Sequence, residues 1–236
     1  MSTIGSSIIC MDHINFERDV KICEQLGVDY LHLDVMDGNY VPRYGIYPEI
    51  VERMADICNI PMDLHLMVDD PLFAIKQFKN ITNIEVVSIH LDNNIKDLYR
   101  CFDQIRVIGK KPGLVINLST DLYHVAQLLN ANEIDSIMFM GIHPGVLVQQ
   151  ARPQSVINSI AVLEQLTDSG LPSFVQCDGG VSFESLPKLL SAGINNFICG
   201  SSTLYKGVQM NTTSEQRFVQ IKDNYDKIRD LLEVSE

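Results

Sequence analysis

Short apolar runs alternate with amphipathic stretches along the whole chain. The runs cover 7–10, 30–36, 62–68, 86–91, 113–118, 136–142, 173–177 and 196–199. Several are almost continuously apolar, the pattern of parallel strands covered on both faces. Between them, 16–26, 47–57, 72–78, 95–108, 122–129, 153–167, 183–192 and 215–232 place apolar residues at helical spacing. Turn residues punctuate the joins: Pro42, Pro71, Pro112, Pro144, Gly145, Gly170, Gly179, Gly180 and Gly193. Eight strand–helix units predict an α/β fold, either a closed parallel barrel or a doubly wound open sheet. No linker or low-complexity tract divides the chain, so one domain over 1–236 is expected.

Length fits this picture: 236 residues is close to the roughly 250 that an eight-stranded α/β barrel needs. The net charge of −12 disfavours nucleic acid or an anionic membrane as main partner, since both require basic patches. A small anion is still compatible, because backbone amides hold a phosphate locally. The six cysteines form no CxxC pair and read as free thiols of a reducing compartment. Neither a signal peptide nor a transmembrane segment is apparent in the sequence, and the cytoplasm is the expected location.

Residues at i and i+2 of a strand point to the same face. His32, Asp34 and Met36 therefore share one face of the second strand, and Asp63, His65 and Met67 one face of the third. Asp178 ends the seventh. These positions fall toward the C-terminal ends of their strands, where barrel enzymes carry their sites. His32, Asp34, His65 and Asp178 together could bind a divalent transition metal, suiting Zn²⁺, Mn²⁺, Fe²⁺ or Co²⁺ better than Mg²⁺ or Ca²⁺. Each alone also reads as a hydrogen-bonded buried polar group. His90 and His143 read as local hydrogen-bonding residues. Met36, Met67, Met138 and Met140 are either gap-fillers or, beside the ligands, a wall that excludes water. The turns at Gly145, Gly179–Gly180 and Gly200-Ser201-Ser202 follow strands six, seven and eight, and barrel phosphate sites commonly lie after strands seven and eight.

The strings LHLDVMDGNYVP (31–42), PMDLHLMV (61–68), MGIHPG (140–145), CDGG (177–180) and AGINNFICGSS (192–202) resemble the ribulose-phosphate 3-epimerase family, in order, from Ser7 to about Tyr205. The resemblance implies a (β/α)8 (TIM) barrel that assembles as a homo-oligomer. It implies an isomerase that epimerises a sugar phosphate, with one divalent metal held by His32, Asp34, His65 and Asp178. Asp34 and Asp178 match the family's two acid/base carboxylates, which remove and return the C3 proton on opposite faces of an enediolate. Ser7 resembles a substrate-contacting serine, and Met36, Met67 and Met140 match the methionine wall.

Three departures from the family pattern bear on the substrate. The first strand continues Cys10-Met11-Asp12 rather than Ser-Ala-Asp, a form resembling the branch that acts on allulose 6-phosphate. The loop after strand six reads Pro144-Gly145-Val146-Leu147-Val148-Gln149 where the family has Pro-Gly-Phe-Gly-Gly-Gln. Bulky residues resist positive φ, so this loop is expected to grip phosphate less than the Gly179, Gly180, Gly200, Ser201 and Ser202 turns. Arg43 adds a cation near the mouth, either solvated or facing an anionic group. Pentulose phosphate, hexulose phosphate, an unphosphorylated ketose and a non-catalytic sugar-phosphate binder all remain compatible with these residues.

Overall fold

A computed structural model describes residues 2–92, 98–146 and 149–234. The strands are β1 (Thr3–Ser7), β2 (Tyr30–Met36), β3 (Met62–Met67), β4 (Ile84–His90), β5 (Lys111–Ile116), β6 (Ser136–Met140), β7 (Phe174–Asp178) and β8 (Asn196–Cys199). The helices are α1 (Phe16–Leu26), α2 (Pro48–Ile57), α3 (Pro71–Gln77), α4 (Leu98–Val107), α5 (Leu122–Asn130), α6 (Pro153–Leu166), α7 (Leu186–Ser191) and α8 (Ser214–Glu233). All strand pairs are parallel, and β8 closes on β1. The open-sheet alternative is thereby excluded: this is a (β/α)8 barrel.

The strand alternation sorts residues into two layers. Leu31, Leu33, Val35, Leu64 and Leu66 point outward into one large core shared with the helices. Burying each such side chain contributes about 1.5–3 kcal/mol, and that layer holds the helices on the barrel. Tyr30, Val115, Met138, Met140 and Ile198 point inward and pack together inside the barrel. The register then places the chemistry. Ser7 pairs with His32, Asp34 with His65, Met36 with Met67, and Met140 with Asp178.

Boundaries differ from the sequence reading in two informative places. The first strand is Thr3–Ser7, and Ile8–Cys10 is a single 3-10 turn rather than a strand. The strand segment TIGSS is too small and polar to score as apolar. Its small residues are needed because a Cβ on Gly5 would lie 2.3 Å from the Tyr30 ring. Helix α7 starts at Leu186 instead of 183, because Ser182 and Ser185 bond each other's backbone N–H and side chain in a closed turn. Helix α4 is described from Leu98; the expected start at 95 lies outside the described residues.

Candidate metal centre and catalytic cavity

The C-terminal ends of β2, β3 and β7 bring His32, Asp34, His65 and Asp178 together. One ligand atom from each lies within 4.8 Å of every other. Asp34 Oδ1 is 3.4 Å from both His32 Nε2 and His65 Nδ1. Asp178 Oδ2 is 3.8 Å from His32 Nε2 and 3.6 Å from His65 Nδ1. Donors bound tetrahedrally at 2.0–2.2 Å are separated by about 3.3–3.6 Å, so the four carboxylate–imidazole separations are close to those a divalent ion requires. His32 Nε2 and His65 Nδ1 are also buried without any hydrogen-bond partner. Buried imidazole nitrogens are rarely left in that state, and a cation would satisfy both at once. The donor set fits a metal.

The electrostatics agree. Burial disfavours charge on His32, but Asp34, Asp63 and Asp178 outweigh it and push its pKa well above the ordinary value. Burial likewise acts downward on His65, and Asp178 and Asp34 overcome it to raise the pKa. For Asp34, burial acts upward and the two imidazoles win, holding the carboxyl well below the usual carboxylate range. The cluster thus attracts positive charge, whether protons or a metal ion, and metal binding would displace those protons.

Above the cluster opens a cavity of about 630 Å³. Ser7, Asp34, Met36, Met67, Met140, Gly145, Asp178, Gly179, Gly180, Gly200, Ser201 and Ser202 all line it, so every candidate substrate contact reaches one space. Ser7 Oγ donates to Asp34 Oδ2 at 3.3 Å. Met36 and Met67 pack with Val41 into a small apolar cluster beside the carboxylates. Met138 is buried inside the barrel among apolar neighbours and is a gap-filler. Gly179 and Gly180 have φ of 76° and 75°, left-handed backbone that favours glycine. Cys10 and Arg43 also line the cavity, and the Arg43 side chain has no acidic partner among the described residues. After β6, Val146 reaches the cavity wall and Gln149 ties the loop through His143 N–H and the His143 and Val146 carbonyls. Leu147 and Val148 lie outside the described residues.

Four contributions were not assigned from sequence. Asp63 shares a face with His65, yet it faces His32 instead: its Oδ2 accepts from His32 Nδ1 at 2.9 Å. Its position two residues before His65 was the available signal. His90, read as a local hydrogen-bonding group, turns out to meet a candidate ligand, with Nε2 2.8 Å from His65 Nε2. His143 is exposed and serves through its main chain. Asp37, inside the most specific string, braces the loop by accepting from Asn39, Tyr40 and Asp69 N–H groups. That string therefore mixes candidate ligands with turn-forming residues.

A closed (β/α)8 barrel with a buried His₂Asp₂ cluster under a cavity at its C-terminal mouth is the architecture of a barrel enzyme with a candidate metal site. Residues 3–204 match the ribulose-phosphate 3 epimerase family, and the chain belongs to it. The ribulose-phosphate 3-epimerase of Synechocystis sp. is 32% identical over 201 residues, covering 84% of this chain and 86% of that protein. The Bacillus subtilis ribulose-phosphate 3-epimerase is 29% identical over 219 residues, covering 92% and 99%. Among solved structures, a mutant tryptophan synthase α-subunit from Pyrococcus furiosus superposes with a TM-score of 0.70 over 97% of this chain and 98% of that one. At 12% identity it shares the barrel alone.

Proposed function

We propose that this chain is a metal-dependent 3-epimerase of a ketose phosphate, either a pentulose 5-phosphate or a hexulose 6-phosphate, working as one barrel domain. The observation that carries the proposal is the pair Asp34 and Asp178, brought within 4.8 Å of each other and of two partnerless imidazole nitrogens at the floor of the cavity. His32, Asp34, His65 and Asp178 would hold one divalent ion, Zn²⁺, Mn²⁺, Fe²⁺ or Co²⁺. When bound, such an ion supplies Lewis-acid stabilisation of the oxyanion that develops at C2.

The proton chemistry belongs to the two carboxylates. One accepts the C3 proton, and the C–H electron pair moves into a C2–C3 double bond as the carbonyl oxygen takes up negative charge. The other carboxyl group returns a proton to C3 from the opposite face, and the carbonyl re-forms with inverted configuration. Ser7 orients Asp34 through its hydrogen bond. Met36, Met67 and Met140 offer uncharged thioethers that keep water away without quenching the carbanion. Gly179, Gly180, Gly200, Ser201 and Ser202 are assigned to the phosphate. Neither turn runs directly into an α-helix, since α7 begins at Leu186 and α8 at Ser214. The grip therefore comes from turn amides, with Gly145 contributing from the β6 loop.

We place the enzyme in the cytoplasm, which its similarity to bacterial ribulose-phosphate 3-epimerases supports; no described helix is long and apolar enough to cross a membrane. We expect it to self-associate, as its family resemblance implies; sedimentation reads this directly.

Turnover of ribulose 5-phosphate, allulose 6-phosphate and their unphosphorylated forms, with each metal added in turn, tests the assignment. Epimerisation should be metal-dependent, favour a phosphorylated ketose, and carry solvent deuterium into C3. Equal kcat/KM for phosphorylated and free ketoses would remove the phosphate assignment. Full activity after chelation would remove the metal.

A further inference from the structure

A metal-binding histidine must present a bare nitrogen, and the two histidines of this centre are held in that state by different means. For His32 the device is direct: a carboxylate only accepts, so Asp63 Oδ2 at 2.9 Å fixes the proton on Nδ1 and leaves Nε2 bare. At His65 both neighbouring carboxylates face Nδ1, and Nε2 meets a ring instead. His65 Nε2 faces His90 Nε2 at 2.8 Å, and two imidazoles that close need one nitrogen to donate and the other to accept. The contact alone does not say which.

The answer is set at the barrel rim. Asp92 accepts from Asn117 Nδ2 at 2.8 Å and from Thr120 Oγ1 at 2.6 Å. Because Asp92 only accepts, the Asn117 amide nitrogen must face it, and Thr120 locks the same turn by accepting from Asn117 N–H at 2.8 Å. The Asn117 oxygen is then turned away. It is buried with no partner, and so is Nδ1 of His90, the ring beside it. Those two orphaned atoms complete one another if Nδ1 of His90 carries the proton. Nε2 of His90 is then bare and accepts from Nε2–H of His65. Nδ1 of His65 is left bare, 3.4 Å from Asp34 Oδ1 and 3.6 Å from Asp178 Oδ2.

We propose that Asp92, Asn117 and His90 form a tautomer relay that holds His65 Nδ1 bare for the metal, with His90 as a positioning residue. The inference rests on the metal-site reading above. It assigns the barrel an asymmetric outer shell: a buried carboxylate behind one histidine, and a neutral chain ending in a rim carboxylate behind the other.

Nitrogen-15 NMR of the Zn²⁺-loaded wild type reads the relay without any variant. His90 should be the Nδ1–H tautomer and His65 the Nε2–H tautomer; the opposite tautomer on His90 overturns the proposal. Chelator competition with Zn²⁺ and Co²⁺ reads its effect. His90→Phe should weaken metal binding roughly 10- to 100-fold and shift the Co²⁺ d–d bands. His90→Gln, whose amide both accepts and donates, should recover most of that loss. Asn117→Leu, farther from the ion, should weaken binding in the same direction. Wild-type affinity and spectrum in His90→Phe, with the fold intact by circular dichroism, sinks the relay, as does a His90→Gln no better than His90→Phe. His65→Ala separates the two claims. If it keeps full metal content, the metal-site reading fails; if it loses metal while His90→Phe does not, only the relay fails.

Discussion

Replacing Asp63 by Asn tests how strongly the residues behind the ligands act on the metal. The substitution keeps shape and an accepting oxygen for His32 Nδ1–H, now 2.9 Å from Asp63 Oδ2, but removes one negative charge. Asp63 is buried, so solvent screening is weak. A cation bonded to the far nitrogen of the ring at about 2.1 Å would sit about 7 Å from that carboxylate. At an effective dielectric constant of about 20, a unit negative charge at that distance attracts a divalent ion by about 4.7 kcal/mol. A tenfold change in affinity corresponds to about 1.4 kcal/mol, so the bare Coulomb figure is roughly a few thousandfold, a bound that the ligand charges of Asp34 and Asp178 reduce. Outer-shell partners typically change metal affinity roughly 10- to 100-fold, and the loss expected for Asp63→Asn lies in that range, well inside the Coulomb bound. One effect opposes it: without the Asp63 charge the imidazole sheds its proton more readily, which eases metal entry and makes the Coulomb figure an upper bound. Competition titration against a chromophoric chelator at fixed pH measures the change, with melting of the metal-free protein as the control for folding. An Asp63→Asn variant that binds Zn²⁺ as tightly as the wild type would refute the claim that Asp63 acts on the ion through His32.

Three further outcomes follow from the same geometry. Asp34→Asn and Asp178→Asn should each cut kcat by roughly 10²- to 10⁴-fold or more with the fold unchanged by circular dichroism; a variant retaining a tenth of wild-type kcat would strip that residue of its acid/base role. Gly179→Ala places a Cβ 2.2 Å from Ile142 Cγ1 at a φ of 76° and should lower unfolding free energy by about 2–4 kcal/mol, read by denaturant titration; an unchanged midpoint would contradict the turn geometry. Burial and then the Asp34 charge push the Cys10 thiol up to about 11, so its alkylation at pH 8 should be roughly a hundredfold slower than that of a free thiol and rise with pH toward about 11; rapid labelling at pH 8, located by mass spectrometry, would overturn this.

What the sequence by itself determined is what depends on local periodicity. Parity along β2 and β3 placed His32, Asp34 and Met36 on one face and Asp63, His65 and Met67 on another, and both faces prove to be the barrel interior. The alternation of runs was sufficient to count eight strands and to locate seven, two of them, 30–36 and 196–199, at their observed limits. It was weakest at β1, where Gly5, whose Cβ position Tyr30 fills, and two serines replace the apolar signal. Only the tertiary structure decided which same-face residues meet. Strand pairing can be read between sequence neighbours, but bringing Asp178 from β7 to the ends of β2 and β3 requires closure of the whole ring by β8 on β1. Nor could periodicity say that Asp63 would back His32 while Asp34 joined the cluster, since both carboxylates share the inward parity. Their depth in the barrel separates them: Asp63 pairs with His32, one layer below the pairing of Asp34 with His65, so its carboxylate meets the ring from beneath instead of from the cavity. Depth is set by strand tilt and stagger around a closed barrel, which no local pattern encodes.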